Sequence, residues 1–365
     1  MTTIDRHLLK ELIKFVSLAL LSVVIIYLLI DLFEELSYFT SRKVSFWVIL
    51  QYYFYSLPSA IVLLYPVSLI LAVFVVYGQL TRNNELSAFK SSGVIIYRLF
   101  GPAVFIGIVS IFIYLIGNEW ITIPFNRQLT DLRRLTIEKR SPPSTQRLQD
   151  IYRVDGNIVF WSKELEKPMG EKNNGSSLRN FLLIELNKSR QVVYRIDGER
   201  AEYQDSIWIG ENIKIRKFIP SGEEDFLQAN QKDLVILGGL LEETGINGRP
   251  IDEISTSVLR KFIKKMKNNG ENVAREELEY HYRFSYSLIG LIMVLLGLPL
   301  SVRRLRGGVM LGLGLGLLFS FLYWGVIQTF RAFGTSHVVI PIAAAWIPNI
   351  IFAGVALILF IKVAI

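Results

Sequence analysis

Three histidines, His7, His281 and His337, and no cysteine are all that 365 residues offer for imidazole or thiol chemistry. No two of the histidines share metal-ligand spacing on one helix, so each reads as a surface or interfacial residue and no metal site is expected. Without cysteine there is no disulfide, thiolate ligand or thiol nucleophile, which is compatible with an oxidising compartment. The glycine-rich run from Gly307 to Gly316 contains G-x-x-x-G spacings but lacks the Gly-Lys-Ser/Thr ending that cradles phosphates. It reads as close helix–helix packing, and any ATP hydrolysis then belongs to another chain. The carboxylates Glu34, Glu35 and Glu119 could be assembled into an acid–base site, although no spacing demands it.

Two other groups of polar residues are placed more informatively. Asn84-Glu85-Leu86-Ser87-Ala88-Phe89-Lys90 precedes the stop Ser91-Ser92-Gly93 and can form a helix of two to three turns. It is either a solvated connector or an amphipathic helix that docks in a groove of a cytoplasmic partner, with Glu85 as the central polar contact. Arg42 and Lys43 in one short loop, and Arg133 and Arg134 after a hydrophobic segment, lie where charges are usually solvated or snorkelling. Composition favours that reading. A ring of such residues at a cavity mouth would also hold an anionic lipid head group.

The elements that must position these residues are long apolar runs. A bilayer core needs about 20 apolar residues per helix. Six segments meet or approach that length: Leu12–Ile30, Phe54–Tyr77, Val94–Gly117, Ser285–Val302, Val309–Phe330 and Val338–Ile361. The first lacks a small-x-small cleavage site and runs into charged residues, so it reads as a permanent anchor. The net charge of +8 is then a matter of orientation and anionic lipid, with no nucleic-acid partner expected. With the N-terminus inside, the inner segments carry nine basic residues (Arg6, Lys10, Lys14, Arg82, Lys90, Arg303, Arg304, Arg306 and Lys362). The short outer loops carry Arg42, Lys43 and Arg331. This asymmetry predicts cytoplasmic termini and a large domain outside the inner membrane, in the periplasm.

That domain is the polar block between the third and fourth spans. Residues 1–117 are expected to hold the first three spans and, near 82–93, the short cytoplasmic helix. Residues 118–282 are expected to form the periplasmic domain with its connector helix, and 283–365 the last three spans. From Ile151 the pattern becomes two-residue. Ile151–Val154 and Ile158–Trp161 flank the turn Asp155-Gly156-Asn157, and Phe181–Leu186, Gln191–Ile196, Ala201–Tyr203, Ile207–Ile209 and Asn212–Arg216 follow. Short strands at this spacing predict an all-β sandwich, jelly roll or open barrel. Lys163–Ser177 reads as a long polar loop. After Gly248-Arg249-Pro250, Val258, Leu259, Phe262, Ile263 and Met266 fall on one helical face, ending near Asn268-Asn269-Gly270. This predicts an amphipathic connector at the membrane surface, with lipid sensing as a lesser alternative.

At these residues the chain resembles the lipopolysaccharide-export permease family (LptF/LptG, also written YjgP/YjgQ). Asn84–Gly93 is similar to that family's coupling-helix segment. Asn118-Glu119 with Pro124 resembles the end of its third span. Arg195–Tyr203 with Trp208 resembles its β-domain, and Pro299-Leu300, Arg303-Arg304 and Gly307-Gly308 its fourth span and following loop. Ala344-Ala345-Trp346-Ile347-Pro348-Asn349 looks closer to the LptG branch. Ser91-Ser92 depart from the small alanines common there.

The resemblance implies a six-helix permease with an inserted periplasmic β-jellyroll. It would be a non-enzymatic subunit of an ABC transporter that extracts lipopolysaccharide from the outer leaflet of the inner membrane towards the outer membrane. Implied partners are a cytoplasmic LptB-like ATPase dimer, which would hold ATP and Mg, a second LptF-like permease, LptC and an LptA-like bridge. No cofactor is expected on this chain. Asn84, Glu85, Leu86, Phe89 and Lys90 would couple to the ATPase, and Arg42, Lys43, Arg133 and Arg134 would meet head-group phosphates. Apolar residues of the first and fifth spans would line a cavity, and Val193, Ile196 and Ile215 would touch acyl chains. The alternatives are a mechanotransmitting ABC-type permease, a membrane enzyme acting on lipid or glycan, and a structural scaffold that leaves Asn84–Gly93 unexplained.

Overall fold

A computed structural model describes residues 3–364 except 94, 139–144, 156, 169–175, 188, 190, 205–206, 219–223, 235–249, 269–271 and 303–307. Gly156, Gly248, Arg249, Asn269, Gly270, Arg303, Arg304, Arg306 and Gly307, which the sequence singles out, lie outside the described residues. The chain divides into two compact units. One comprises Met1–Arg133, Ile251–Leu259 and Val273–Ile365, and the other Arg134–Pro250 and Arg260–Asn272.

The first unit is helical because its apolar runs satisfy every backbone group within one segment, as hydrocarbon requires. Its helices are α1 (Thr3–Ser41), α2 (Phe46–Arg82), α3 (Glu85–Ser91), α4 (Ile96–Gly117) and α5 (Ile123–Asp131). After the inserted unit come α7 (Ala274–Ser287), α8 (Ile289–Ser301), α9 (Gly308–Thr335) and α10 (Pro341–Ala364). Among the described residues five helical stretches are long and apolar enough to cross a membrane, and α7 with α8, bent by 40°, makes a sixth if the pair is taken as one span. The expected fourth span, Ser285–Val302, thus falls on a bent pair of helices rather than one straight helix. α1 and α2 also overrun the expected Leu12–Ile30 and Phe54–Tyr77 by a turn or more at each end. At both ends of α1 and the C-terminal end of α2 the added residues are largely polar or charged, whereas at the N-terminal end of α2 they are mostly apolar and aromatic, Phe46 to Tyr53.

α2 lies at the centre of this unit. Its residues Leu69–Phe74 are buried without a gap, so an all-round apolar helix here is a core helix. The glycine run packs against it: a Cβ on Gly312 would come within 2.9 Å of Phe74, and one on Gly316 within 3.2 Å of Leu71 and Phe74. Close approach of α9 to α2 is therefore what these glycines permit.

The break between α7 and α8 is held by side chains from other spans. Asn349 donates from Nδ2 to the Ser285 carbonyl at 2.5 Å and accepts from the Tyr323 hydroxyl at 2.7 Å. Tyr65 donates to the Tyr286 carbonyl at 3.4 Å. Backbone carbonyls freed inside a membrane need such substitutes.

The second unit carries one six-stranded antiparallel sheet in sequential order. Its strands are β1 (Thr145–Asp155), β2 (Ile158–Pro168), β3 (Ser177–Leu186), β4 (Val192–Gln204), β5 (Ile207–Phe218) and β6 (Glu224–Asp233). The expected hairpin closes with Asp155 opposite Ile158. Alternation puts Phe160, Leu178, Leu183, Ala201, Trp208 and Ile213 in one core. Two expectations are corrected. Lys163–Pro168 is not loop: it extends β2, paired with β1 and partly with β3. β6 adds a strand at Glu224–Asp233, a run of acidic and amide residues with low strand propensity. The amphipathic helix is present as α6 (Thr256–Asn268), with Leu259 fully buried.

Candidate functional site

The Asn84–Gly93 segment folds as a separate short helix on the end of α2. Asn83 and Asn84 turn the chain, and Asn84 takes a left-handed φ of 60° that asparagine tolerates. The Asn84 carbonyl then accepts the first helical bond from Ala88 at 3.0 Å, and Asn83 Nδ2 donates to Glu85 Oε1 at 3.3 Å. The helix stops at Gly93, whose φ of +82° suits glycine. Leu86, 6% exposed, and Phe89 one turn later pack onto Leu8, Leu12, Tyr77, Leu80, Ile96 and Leu99. Glu85, Ser87 and Ala88 are exposed, and Lys90 continues the helix. The five expected coupling residues thus separate: Leu86 and Phe89 fasten the helix to its own bundle, and Glu85 faces outward. Beneath them the fully buried Tyr77 donates to the Leu99 carbonyl at 2.7 Å, tying α2 to α4.

Among the basic residues, Arg42 and Arg133, 91 positions apart, meet at one ring. The Arg42 guanidinium lies 4.0 Å and that of Arg133 5.0 Å from the Tyr38 centroid, and Arg133 Nε donates to the Tyr38 hydroxyl at 3.3 Å. Cations over an aromatic face are attracted by its quadrupole. Lys43, with a φ of 51°, and Arg134 are exposed.

Of the carboxylates that could have served an enzyme, Glu119 is engaged in the fold. Glu119, in a π-helical turn at Asn118–Thr122, accepts from Thr256 N at 3.0 Å and Oγ1 at 2.7 Å, capping α6. Arg283, 5% exposed, donates to the Ile254 carbonyl, Thr256 Oγ1 and the Ile251 carbonyl at 2.8–3.0 Å. Arg127 donates to the Glu253 carbonyl at 2.6 Å. Residues on both sides of the insertion are knotted together by these bonds. The sequence gives no local sign of them, because Glu119 and Thr256 are 137 residues apart.

Two cavities open between the helices. One is an apolar groove of 720 Å³ lined by α1, α2 and α4, including Ile13, Leu20, Phe54, Tyr65, Val109 and Ile113. This groove lies within one chain and is distinct from the cavity expected between two permeases. The other is a polar pocket of 500 Å³ that includes Tyr27, Asp31, Ser59, Glu279, Tyr282 and Arg331.

In the β unit, Ile196 and Ile215 are buried partners across β4 and β5. Val193 is half-buried and stands at a bulge, where Leu186 pairs with Val192 and Glu185 with Tyr194. The three residues therefore do not form one continuous stripe.

Comparison with known proteins agrees with this architecture. Two curated proteins named lipopolysaccharide export system permease protein LptG, from Escherichia coli strain K12 and strain O6:H1, are each 20% identical to the chain over 325 residues. The alignments cover 86% of this chain and 85% of theirs. The family described as lipopolysaccharide export system permease LptF/LptG matches residues 6–362. Nearly the whole of this multi-pass chain, spans and inserted β unit alike, is matched in order, and the chain belongs to the LptF/LptG family of lipopolysaccharide export permeases.

Proposed function

We propose that this chain is the LptG-like half of an ABC transporter that lifts lipopolysaccharide from the outer leaflet of the inner membrane and hands it to its β unit. Its termini are cytoplasmic, and its β unit lies in the periplasm. A separate LptB-like ATPase dimer holds ATP and Mg, a second permease of LptF type completes the cavity, and LptC and an LptA-like bridge receive the lipid. The physical need is plain: each CH₂ leaving hydrocarbon opposes extraction by roughly 0.8 kcal/mol. A molecule with several acyl chains then requires external energy and an apolar path.

The observation that carries this reading is the seating of α3. A seven-residue helix is too short to be stable alone, yet Leu86 is buried in the bundle core while Glu85 is exposed. A push on the Glu85 face therefore reaches α1, α2 and α4 through packed side chains. Arg42 and Arg133, gathered at Tyr38, supply charge for head-group phosphates, with Lys43 and Arg134 beside them in sequence. Acyl chains would meet the apolar core face that holds Ile196 and Ile215, with Val193 a separate contact at the bulge.

The test is ATPase activity of the purified complex, with lipopolysaccharide release measured alongside. Glu85→Ala is expected to weaken ATPase association by about tenfold or more, as removal of a central interface residue does, while the chain still folds. Unchanged association and unchanged coupled release in Glu85→Ala would remove α3 as the coupling element.

A further inference from the structure

The apolar groove and the polar pocket share Val62, Tyr114, Asn118 and Thr122 in their walls. Both lie wholly within the helical unit of one chain. The two therefore adjoin, one apolar and the other polar, beside the π-helical turn into which α4 runs. Along α2 the groove extends from Phe54 to Leu69, about 22 Å at 1.5 Å per residue. That is a large share of a hydrocarbon core about 30 Å thick. An apolar cavity of this length beside a polar one has the shape of an amphiphile.

The charges of the pocket select the head group. Its two guanidinium groups are committed. Arg331 Nη2 donates to Glu279 Oε2 at 2.6 Å, and the group lies 4.7 Å from the centre of the Tyr282 ring. Arg283 is engaged by two carbonyls and the Thr256 hydroxyl. Asp31 and Asp252 are different. Asp31 accepts from the Tyr53 hydroxyl at 3.0 Å, and neither Asp31 nor Asp252 forms an ion pair within 4 Å among the described residues, although the Asp252 charge acts on both Arg331 and Glu279. Three carboxylates thus face two guanidinium groups in a pocket also lined by Tyr27, Tyr52 and Tyr114. Such a lining is one positive charge short of its carboxylates and offers acceptors and aromatic faces, which suits an ammonium group. It does not suit an anionic head, which would meet unpaired carboxylate.

We propose that this cavity binds a membrane phospholipid with a primary ammonium head group, its acyl chains in the groove and its ammonium at Asp31 and Asp252. The site needs no second permease and no lipopolysaccharide, so it stands apart from the export reading. The lipid would act as a resident wedge between α1 and the α2–α4 pair.

The test uses the full chain with whatever co-purifies, placed in nanodiscs of equal phosphatidylethanolamine and phosphatidylglycerol with matched acyl chains, and native mass spectrometry of the retained lipid. Retention of phosphatidylethanolamine over phosphatidylglycerol by about tenfold is expected, the worth of one charge-assisted contact. Asp31→Asn with Asp252→Asn, a near-isosteric change, should bring that ratio close to one without loss of folding. Val109→Trp, which fills the groove, should lower retention of both lipids. Equal retention by the unaltered chain, preference for phosphatidylglycerol, or an ethanolamine preference that survives the double substitution would each overturn the proposal.

Discussion

Arg283 shows how much of this molecule rests on single long-range contacts. Its guanidinium is buried and serves the Ile251 and Ile254 carbonyls and the Thr256 hydroxyl. Arg283→Met keeps the bulk and removes every donor, leaving buried acceptors unsatisfied at about 1–3 kcal/mol each. A fall in melting temperature in detergent is expected, larger than for Arg42→Met, whose guanidinium is exposed. Asn349 bridges Tyr323 and Ser285 at the break between α7 and α8, so Asn349→Leu should cost about 1–2 kcal/mol, the range of interhelical hydrogen bonds in membranes. A melting temperature unchanged by Asn349→Leu would show that the break holds itself. These contacts were not legible beforehand. Arg283 sits among Tyr282, Phe284 and Ser285 with no spacing signal, and Asn349 stood out only as part of a family-like motif. Glu119 looked like a carboxylate available for chemistry, and it proves to be a cap.

At the scale of elements, length and periodicity told more. Apolar runs located the spans because a bilayer fixes how many residues a helix needs, and two-residue alternation located β3, β4 and β5 because one sheet face is buried. The failures have physical causes. β6 is rich in Glu, Asp, Gln and Asn, and Lys163–Pro168 alternates charge with few apolar residues; both are ordered by pairing with a neighbouring strand rather than by propensity. The α7–α8 break was invisible because other spans satisfy its carbonyls. Two predictions belong here. Gly316→Leu should drive a side chain into Leu71 and Phe74 and cost about 1–3 kcal/mol, whereas Gly314→Leu, with nothing within 4 Å of its Cβ, should be tolerated; equal effects on melting temperature would refute the packing role of the run. Leu86→Ala should cost about 2–3 kcal/mol through its cavity and loosen α3. Limited proteolysis near residues 83–93 should then speed up, and an unchanged cleavage rate would mean that Leu86 does not fasten the helix.

For the whole molecule, the architecture restricts function more than any residue does. The helical unit has five long apolar helices and one bent pair, an apolar groove among α1, α2 and α4, and a polar pocket beside it, and a six-stranded sheet is inserted between α5 and α7. Among the described residues no three His, Asp or Glu side chains gather as a metal-holding group, and Glu119 is engaged in capping. Family membership, drawn from residues 6–362, gives this architecture a lipopolysaccharide-export role, and the seating of α3 gives it a route by which an outside motor could move it. The most direct test is purification from the native membrane in mild detergent, with bound proteins and lipids identified by mass spectrometry. The account predicts a soluble ATPase, a second six-span permease and bound lipopolysaccharide. A chain that emerges alone, with neither ATPase nor lipopolysaccharide, would contradict it.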